Sequence, residues 1–432
     1  MNQLPFMGAV RFLAAMGLSI MQSLASATPT QDPDELKAVR YLEAIQSAIH
    51  AKLGTRPAVR HDEAWLDEML KKYFAVRPTM TADQREEFSR RYKQHEQAPL
   101  PSRVSRYESV TNFSMLDSLD QQIQAVLARS SAANIARPVF GTLPTRHVNA
   151  RTFLVPGTSR NLIAFEDQLW GFTNLVSKAI VLALPPLPAS KEGKVHFSID
   201  IDKVVRHLET TPEAEQRFQE LMVAYIAQGR PTAAPQYFAQ ELPSQLVQIL
   251  LSSMELFVLG HEYGHVIAHH GRSRTITQTI GNQDFEEVWR DWEAEFVADA
   301  IGLKLSVAAM RTQGFDVAMS YWGADLFATA MDIVERALGV LSEGREPTDD
   351  ELLAVKRSHP PWWLRRESLR KFAVEFYGEQ GKSAAHLGEQ TQQVAQQLWA
   401  RTRPVLQAMH KSGLRPHPSW QIESKAPPAG TP

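Results

Sequence analysis

The stretch "FVLGHEYGHVIAHHGR", residues 257–272, constrains this chain more than any other. Apolar Leu246, Ile249, Leu250, Met254, Phe257 and Val258 recur at helical spacing and run straight into it, which puts its histidines on a helix. Residues four apart on a helix share a face about 6 Å apart. His261 and His265 can therefore aim two imidazole nitrogens at one ion, with Glu262 beside them. A zinc ion held this way acidifies water, and an adjacent carboxylate can take the water's proton as it attacks a carbonyl. The chain has no cysteine, so thiolate metal sites, disulfides and a cysteine nucleophile are excluded. Any metal must be held by His and carboxylate.

A catalytic zinc needs a third protein ligand. A histidine six residues after His265, with glycine at the third position, would mark a metzincin, but those positions hold Gly271 and Ala268. Carboxylates follow in "DWEAEFVADAIG", where Asp291, Glu295 and Asp299 recur every four residues on one face. Glu293 shares a side with Val297 and is the weaker candidate. An isolated acidic stripe is an ordinary solvated face; the two histidines thirty residues upstream favour ligation. Gly260 and Gly264 are poor helix formers beside the ligands, which we expect to leave room for metal and substrate. His269 and His270 fit a helix C-terminus, where an imidazole meets the last carbonyls.

The N-terminus resembles an export signal, with Arg11, an apolar run from Phe12 to Met21, and Ala25-Ser26-Ala27 before Thr28. We expect residues 1–27 to be removed and the mature chain to be periplasmic or secreted. No later segment reads as long and apolar enough to cross a bilayer, so no transmembrane anchor is expected. Lys and Arg number 46 against 48 Asp and Glu, and this balance gives no case for nucleic acid as a partner.

Residues 28–140 read as a helical N-terminal segment, with apolar spacing in Leu36, Val39, Leu42, Ile45 and Ile49 and again in Leu116, Leu119, Ile123 and Val126. Strands are expected at Arg151–Val155 and Asn161–Phe165, where β-branched and aromatic residues are punctuated by Pro and Gly. Further helices are expected from Pro243 or Ser244, at Phe285–Ser306, Val317–Leu341 and Ala384–Arg401. Residues 141–375 read as the metal-binding domain, 376–412 as a C-terminal helix and 413–432 as a disordered Pro-rich tail. The fold class is mainly α with a small β-sheet.

His261, Glu262 and His265, followed by Glu295, Phe296, Val297, Ala298 and Asp299, resemble the HExxH and ExxAD motifs of gluzincin metallopeptidases of the HtpX and CAAX prenyl protease type. The resemblance implies a zincin-type domain with one zinc ion per chain. It implies Glu295 as third ligand, Glu262 as general base and Asp299 as the carboxylate orienting a ligand histidine. "SHPPWWLR" resembles the family's HPPxxxR motif, which implies that His359 and Arg365 return to the site, His359 to stabilise the oxyanion or cap the zinc and Arg365 to hold a carboxylate. "RTQGFDVAMSYW" resembles its AGYDPxA stretch. "NARTFLVPG", Asn149 to Gly157, resembles the strand whose free edge receives an extended substrate. The resemblance covers about residues 140–375, with a long separation before His261 and a short one between His265 and Glu295. That short spacing is also similar to ImmA-like cytoplasmic peptidases, from which the export signal and HPPxxxR argue away. The expected activity is zinc endopeptidase hydrolysis of protein or peptide substrates; the alternative is a non-proteolytic zinc-binding scaffold of the envelope.

Overall fold

A computed structural model describes residues 32–55, 62–101, 103–130, 132, 134–187, 196–268, 275–280, 283–288, 292–355 and 359–420. The export signal expected at 1–27, His269, His270, Gly271, Asp291 and the tail from 421 lie outside the described residues. The protein is mostly helical with a small sheet, as the composition and periodicity lead one to expect.

Chain contacts divide it into two units, one of Met1–Trp170, Gln236–Ser244 and His265–Trp289, the other of Gly171–Pro235, Gln245–Gly264 and Arg290–Pro432. In the first, helix α1 (Pro33–Leu53) starts at Asp32, whose carboxylate accepts from the Asp34 N–H, and ends at Gly54 in the left-handed conformation that glycine tolerates. Its apolar face, Ala38, Val39, Leu42, Ile45 and Ile49, packs on Val139, Leu143, Phe153, Leu162 and Ala164. These come from strands β1 (Val139–Leu143), β2 (Ala150–Leu154) and β3 (Asn161–Glu166). Burying the Leu42 side chain completely stabilises this layer by about 2 kcal/mol. The 28–140 helices and the sheet thus share one core, so compact units do not divide at 140.

Helices α2 (Glu63–Ala75) and α3 (Ala82–Glu96) form a second cluster of Leu66, Met69, Leu70, Tyr73 and Tyr92, onto which Phe238 packs. Helix α4 (Val110–Leu127) follows, turning Leu116, Leu119 and Ile123 inward as its spacing demands.

With β6 at Thr275–Ile280 and β7 at Gln283–Val288, the sheet order is β1-β3-β2-β7-β6, with β1 parallel to β3 and the other pairs antiparallel. Strand β7 takes the first residues, 285–288, of the segment expected to be helical from Phe285, and β6 lies before it. That helix begins only at Trp292; the Thr- and Ile-rich run before it favours a hairpin.

The second unit holds most of helix α5 (Gln168–Ala183), the short pair β4 (Pro186–Leu187) and β5 (His196–Phe197), then α6 (Ile201–Thr210) and α7 (Pro212–Gln228). Helix α8 (Glu241–Ile267) carries the start of the His-rich stretch and belongs to this unit over Gln245–Gly264; α9 (Trp292–Thr312), α10 (Val317–Glu343), α11 (Asp349–Ala354) and α12 (Trp362–Lys411) complete the unit. Contrary to the sequence expectation, Pro243–Ile267 is long and apolar enough to cross a membrane by composition, although 61% of its apolar window is buried within the protein.

The "RTQGFD" stretch forms the corner between α9 and α10: Gly314 takes φ 89° and Asp316 caps α10 through the Met319 N–H at 2.8 Å. Helix α10 is buried along most of its length. The helix expected at Ala384–Arg401 is part of α12, which breaks at Gly378, where φ is 56° and ψ −125°. Residues 413–420, the first part of the segment expected as a tail, touch α7. The His417 N–H donates to the Ile226 carbonyl at 2.9 Å, and the Trp420 ring lies tilted against Tyr225 with centroids 4.7 Å apart.

Candidate metal centre

Helix α8 places His261 and His265 one turn apart, and α9 does the same for Glu295 and Asp299. These helices approach until backbone meets backbone. A Cβ on Gly264 would lie 2.7 Å from the Ala298 Cα; one on Gly302 would lie 2.6 Å from the His261 N; one on Gly260 would lie 2.9 Å from the Gly302 carbonyl oxygen. The glycines beside the histidines therefore make room for a helix rather than for metal or substrate, correcting the sequence expectation. The small residue that completes the crossing, Gly302, is not singled out by sequence reasoning, although its spacing of four from Ala298 mirrors Gly260 and Gly264.

His261, His265 and Glu295 are buried, and their ligand atoms all lie within 4.8 Å of one another. Such a group could hold a metal ion. His261 Nε2 and Glu295 Oε2 are 3.6 Å apart. Donors about 2.1 Å from a tetrahedral ion are separated by about 3.4 Å, so this pair already has close to the required spacing. Glu262, on the same turn as His261, is buried as well.

Behind the ligands, His261 Nδ1 lies 2.9 Å from Asp299 Oδ1. An ionised carboxylate only accepts, so Nδ1 carries the proton and Nε2 keeps its lone pair for an ion. Arg365 Nε and Nη2 donate to Asp299 Oδ2 and Oδ1 at 2.9 and 2.6 Å, a bidentate clamp. The 3.3 Å approach of Arg365 Nη2 to His261 Nδ1 is a crowded contact between two donors. Burial works against the charge of Asp299, yet the Arg365 guanidinium and the His261 ring outweigh it and hold the carboxyl below the usual carboxylate range.

The "HPPWWLR" stretch returns to this site. Arg365 Nη1 stands 3.4 Å from Glu295 Oε2, and His359 Nε2 stands 3.6 Å from Glu295 Oε1 with about a third of its side chain exposed. Trp362 supports the clamp: the Arg365 guanidinium lies 4.0 Å over its ring, and Phe327 meets that ring edge-on at 5.4 Å. Two further pairs fix the start of α12, Arg366 to Asp332 at 2.7 Å and Arg370 to Asp325 at 2.8 Å. Sequence reasoning leaves both out; their signal is a run of arginines, 365, 366 and 370, against aspartates seven apart on α10.

The expected substrate edge from Asn149 to Gly157 is not a free edge. Strand β2 pairs with β3 along its length and meets β7 at Phe153–Glu287, while the outer strands of the described sheet are β1 and β6. The Asn149 carbonyl accepts from the Glu166 N–H at 2.9 Å, and Gly157, at φ 67°, turns the chain between β2 and β3. The hairpin partner that covers β2 comes from about 130 residues later, beyond the reach of local pattern.

No protein-family model, curated protein or solved structure matches this chain.

Proposed function

We propose that this chain is a zinc-dependent endopeptidase that cleaves peptide bonds in exported or envelope proteins. The observation that supports it is the buried set His261, His265 and Glu295 with Glu262 one residue from the first ligand. Two imidazoles and a carboxylate suit zinc and leave a fourth position for water or substrate. When bound, zinc supplies Lewis acidity toward a peptide carbonyl and lowers the pKa of water.

The chain's own residues divide the remaining tasks. Glu262 takes the proton of the attacking water and passes it to the departing amine. Asp299, clamped by Arg365, keeps His261 in one tautomer and orientation. His359, partly exposed beside Glu295, is placed to donate a hydrogen bond to the developing oxyanion. The motif resemblance supports this assignment of roles, and the apolar N-terminal run with its small-residue end supports an exported location.

Metal content and peptide turnover of wild type and Glu262→Gln test this reading. Zinc at one per chain in both proteins, with turnover lost only in the variant, is the expected result. No turnover by either overturns it. A second reading has its own observation: His359 lies close enough to Glu295 to complete a four-ligand, closed structural site, as a non-proteolytic scaffold would have. In that case His359→Ala should release zinc, whereas in the peptidase it should lower turnover with zinc retained.

A further inference from the structure

A cavity of about 260 Å³ in the first unit lies beside β1 and is lined by both apolar and charged side chains. Phe113, Leu116, Pro138 and Val139 give it apolar walls. Most of its charges are already matched. Arg137 pairs with Asp117 at 3.0 Å and with Asp120. Arg160 pairs with Asp32 at 2.5 Å and donates to the Arg137 carbonyl at 2.8 Å. Glu108 accepts from Gln46 Nε2 and the Thr142 N–H and O–H at 2.6–2.8 Å.

Two lining residues differ. Among the described residues, the side chains of Arg103 and Glu35 have no ion pair and no hydrogen bond, and both are half-buried at the cavity. One cation and one anion without a partner among the described residues thus share an open cavity of mixed polar and apolar lining.

We propose that this cavity binds a small zwitterion, an α-amino acid or dipeptide with a free carboxylate for Arg103, a free ammonium for Glu35 and an apolar side chain for the walls. A guanidinium fork suits a carboxylate, and a carboxylate suits an ammonium. The volume admits a ligand of this size and excludes a folded partner. This inference stands apart from the metal centre.

Calorimetric titration of leucyl-phenylalanine into the full-length Glu262→Gln protein tests it, since that background removes hydrolysis from the heats. Saturable binding is expected, weakened about 10-fold or more by N-acetylating the dipeptide, by converting its carboxylate to an amide, by Arg103→Ala and by Glu35→Gln. Arg103→Ala should not weaken the amide further, because the contact it removes is already absent. Both side chains are half-buried and have no polar partner among the described residues, so neither variant should shift the melting temperature; the derivatised dipeptides test the same contacts on the unmutated cavity. No binding at millimolar concentration, equal binding of the acetylated or amidated forms, or heats unchanged by either substitution would overturn the proposal. Heats lost by chelating the metal but kept in Arg103→Ala would place the dipeptide elsewhere and overturn it too.

Discussion

Asp299 and Glu108 are both buried, at 0% and 6% exposed, one in each unit, yet they ionise in opposite senses. Asp299 faces a guanidinium in bidentate contact and an imidazole, and its carboxyl is held below the usual range against the effect of burial. Glu108 faces three donors, all neutral: the Gln46 amide and the N–H and O–H of Thr142. Burial pushes it up to about 7 in spite of them. Dipoles recover part of the lost hydration of a carboxylate; a full charge in contact recovers more. The candidate metal centre therefore rests on a carboxylate kept charged, while the sheet is braced by one whose charge depends on pH.

The largest effect should come from breaking the charged pair. Arg365→Met leaves Asp299 buried without its guanidinium and should cost about 3–5 kcal/mol in urea unfolding of the metal-free protein. A loss below about 1 kcal/mol would mean that Asp299 accepts a proton cheaply, and the contrast with Glu108 would collapse. Next is the pH dependence of Glu108. Its folded value of about 7 lies above the roughly 4.3 of an unfolded glutamate, so between these the folded state holds more protons. Stability conferred by this group is thus present at low pH and lost as pH rises toward 7, by on the order of 3 kcal/mol. Glu108→Gln cannot lose a proton, and its unfolding free energy should fall less than that of wild type between pH 5 and 8. Equal slopes would show that the neutral donors offset burial after all. A smaller effect concerns how the site helices are held. Gly264→Ala brings a methyl to 2.8 Å from the Ala298 carbonyl oxygen and should cost about 1–3 kcal/mol, with the affinity for any metal ion falling as α9 is pushed back.

The same contrast explains what was legible in the sequence. His261, His265, Glu295 and Asp299 are spaced by helix geometry, a local rule, so two segments read separately already identify residues that the fold brings together. Arg365 and His359 were reachable only through motif resemblance, because nothing local links residue 365 to residue 299. The β2 edge failed for the same reason: its covering strand is distant in sequence, and alternation within "NARTFLVPG" says nothing of what pairs beside it. Helix from Phe285 failed because apolar period is ambiguous over a few residues. The glycines were noticed but misassigned, since a small residue in a helix signals close approach without saying what approaches. Gln46, Glu108 and Thr142 carry no signal at all, as isolated polar residues read as solvent-facing.

The finest test changes one neutral donor and leaves the rest. Thr142→Val keeps the shape of a buried β-strand side chain but removes the hydroxyl that donates to Glu108 Oε2 at 2.8 Å. At pH 5, with Glu108 protonated, the cost should be about 1 kcal/mol, a single hydrogen bond. At pH 8 it should be larger, because the lost donor served the carboxylate better than the acid. The midpoint of the pH-dependent loss should move upward by a fraction of a unit to about one unit, since each unit equals about 1.4 kcal/mol of preference for the charged form. Unfolding free energies at four or five pH values measure both quantities. An unmoved midpoint would assign the position of Glu108 on the pH scale to burial and the remaining donors, and a downward shift would contradict the electrostatic account of this network.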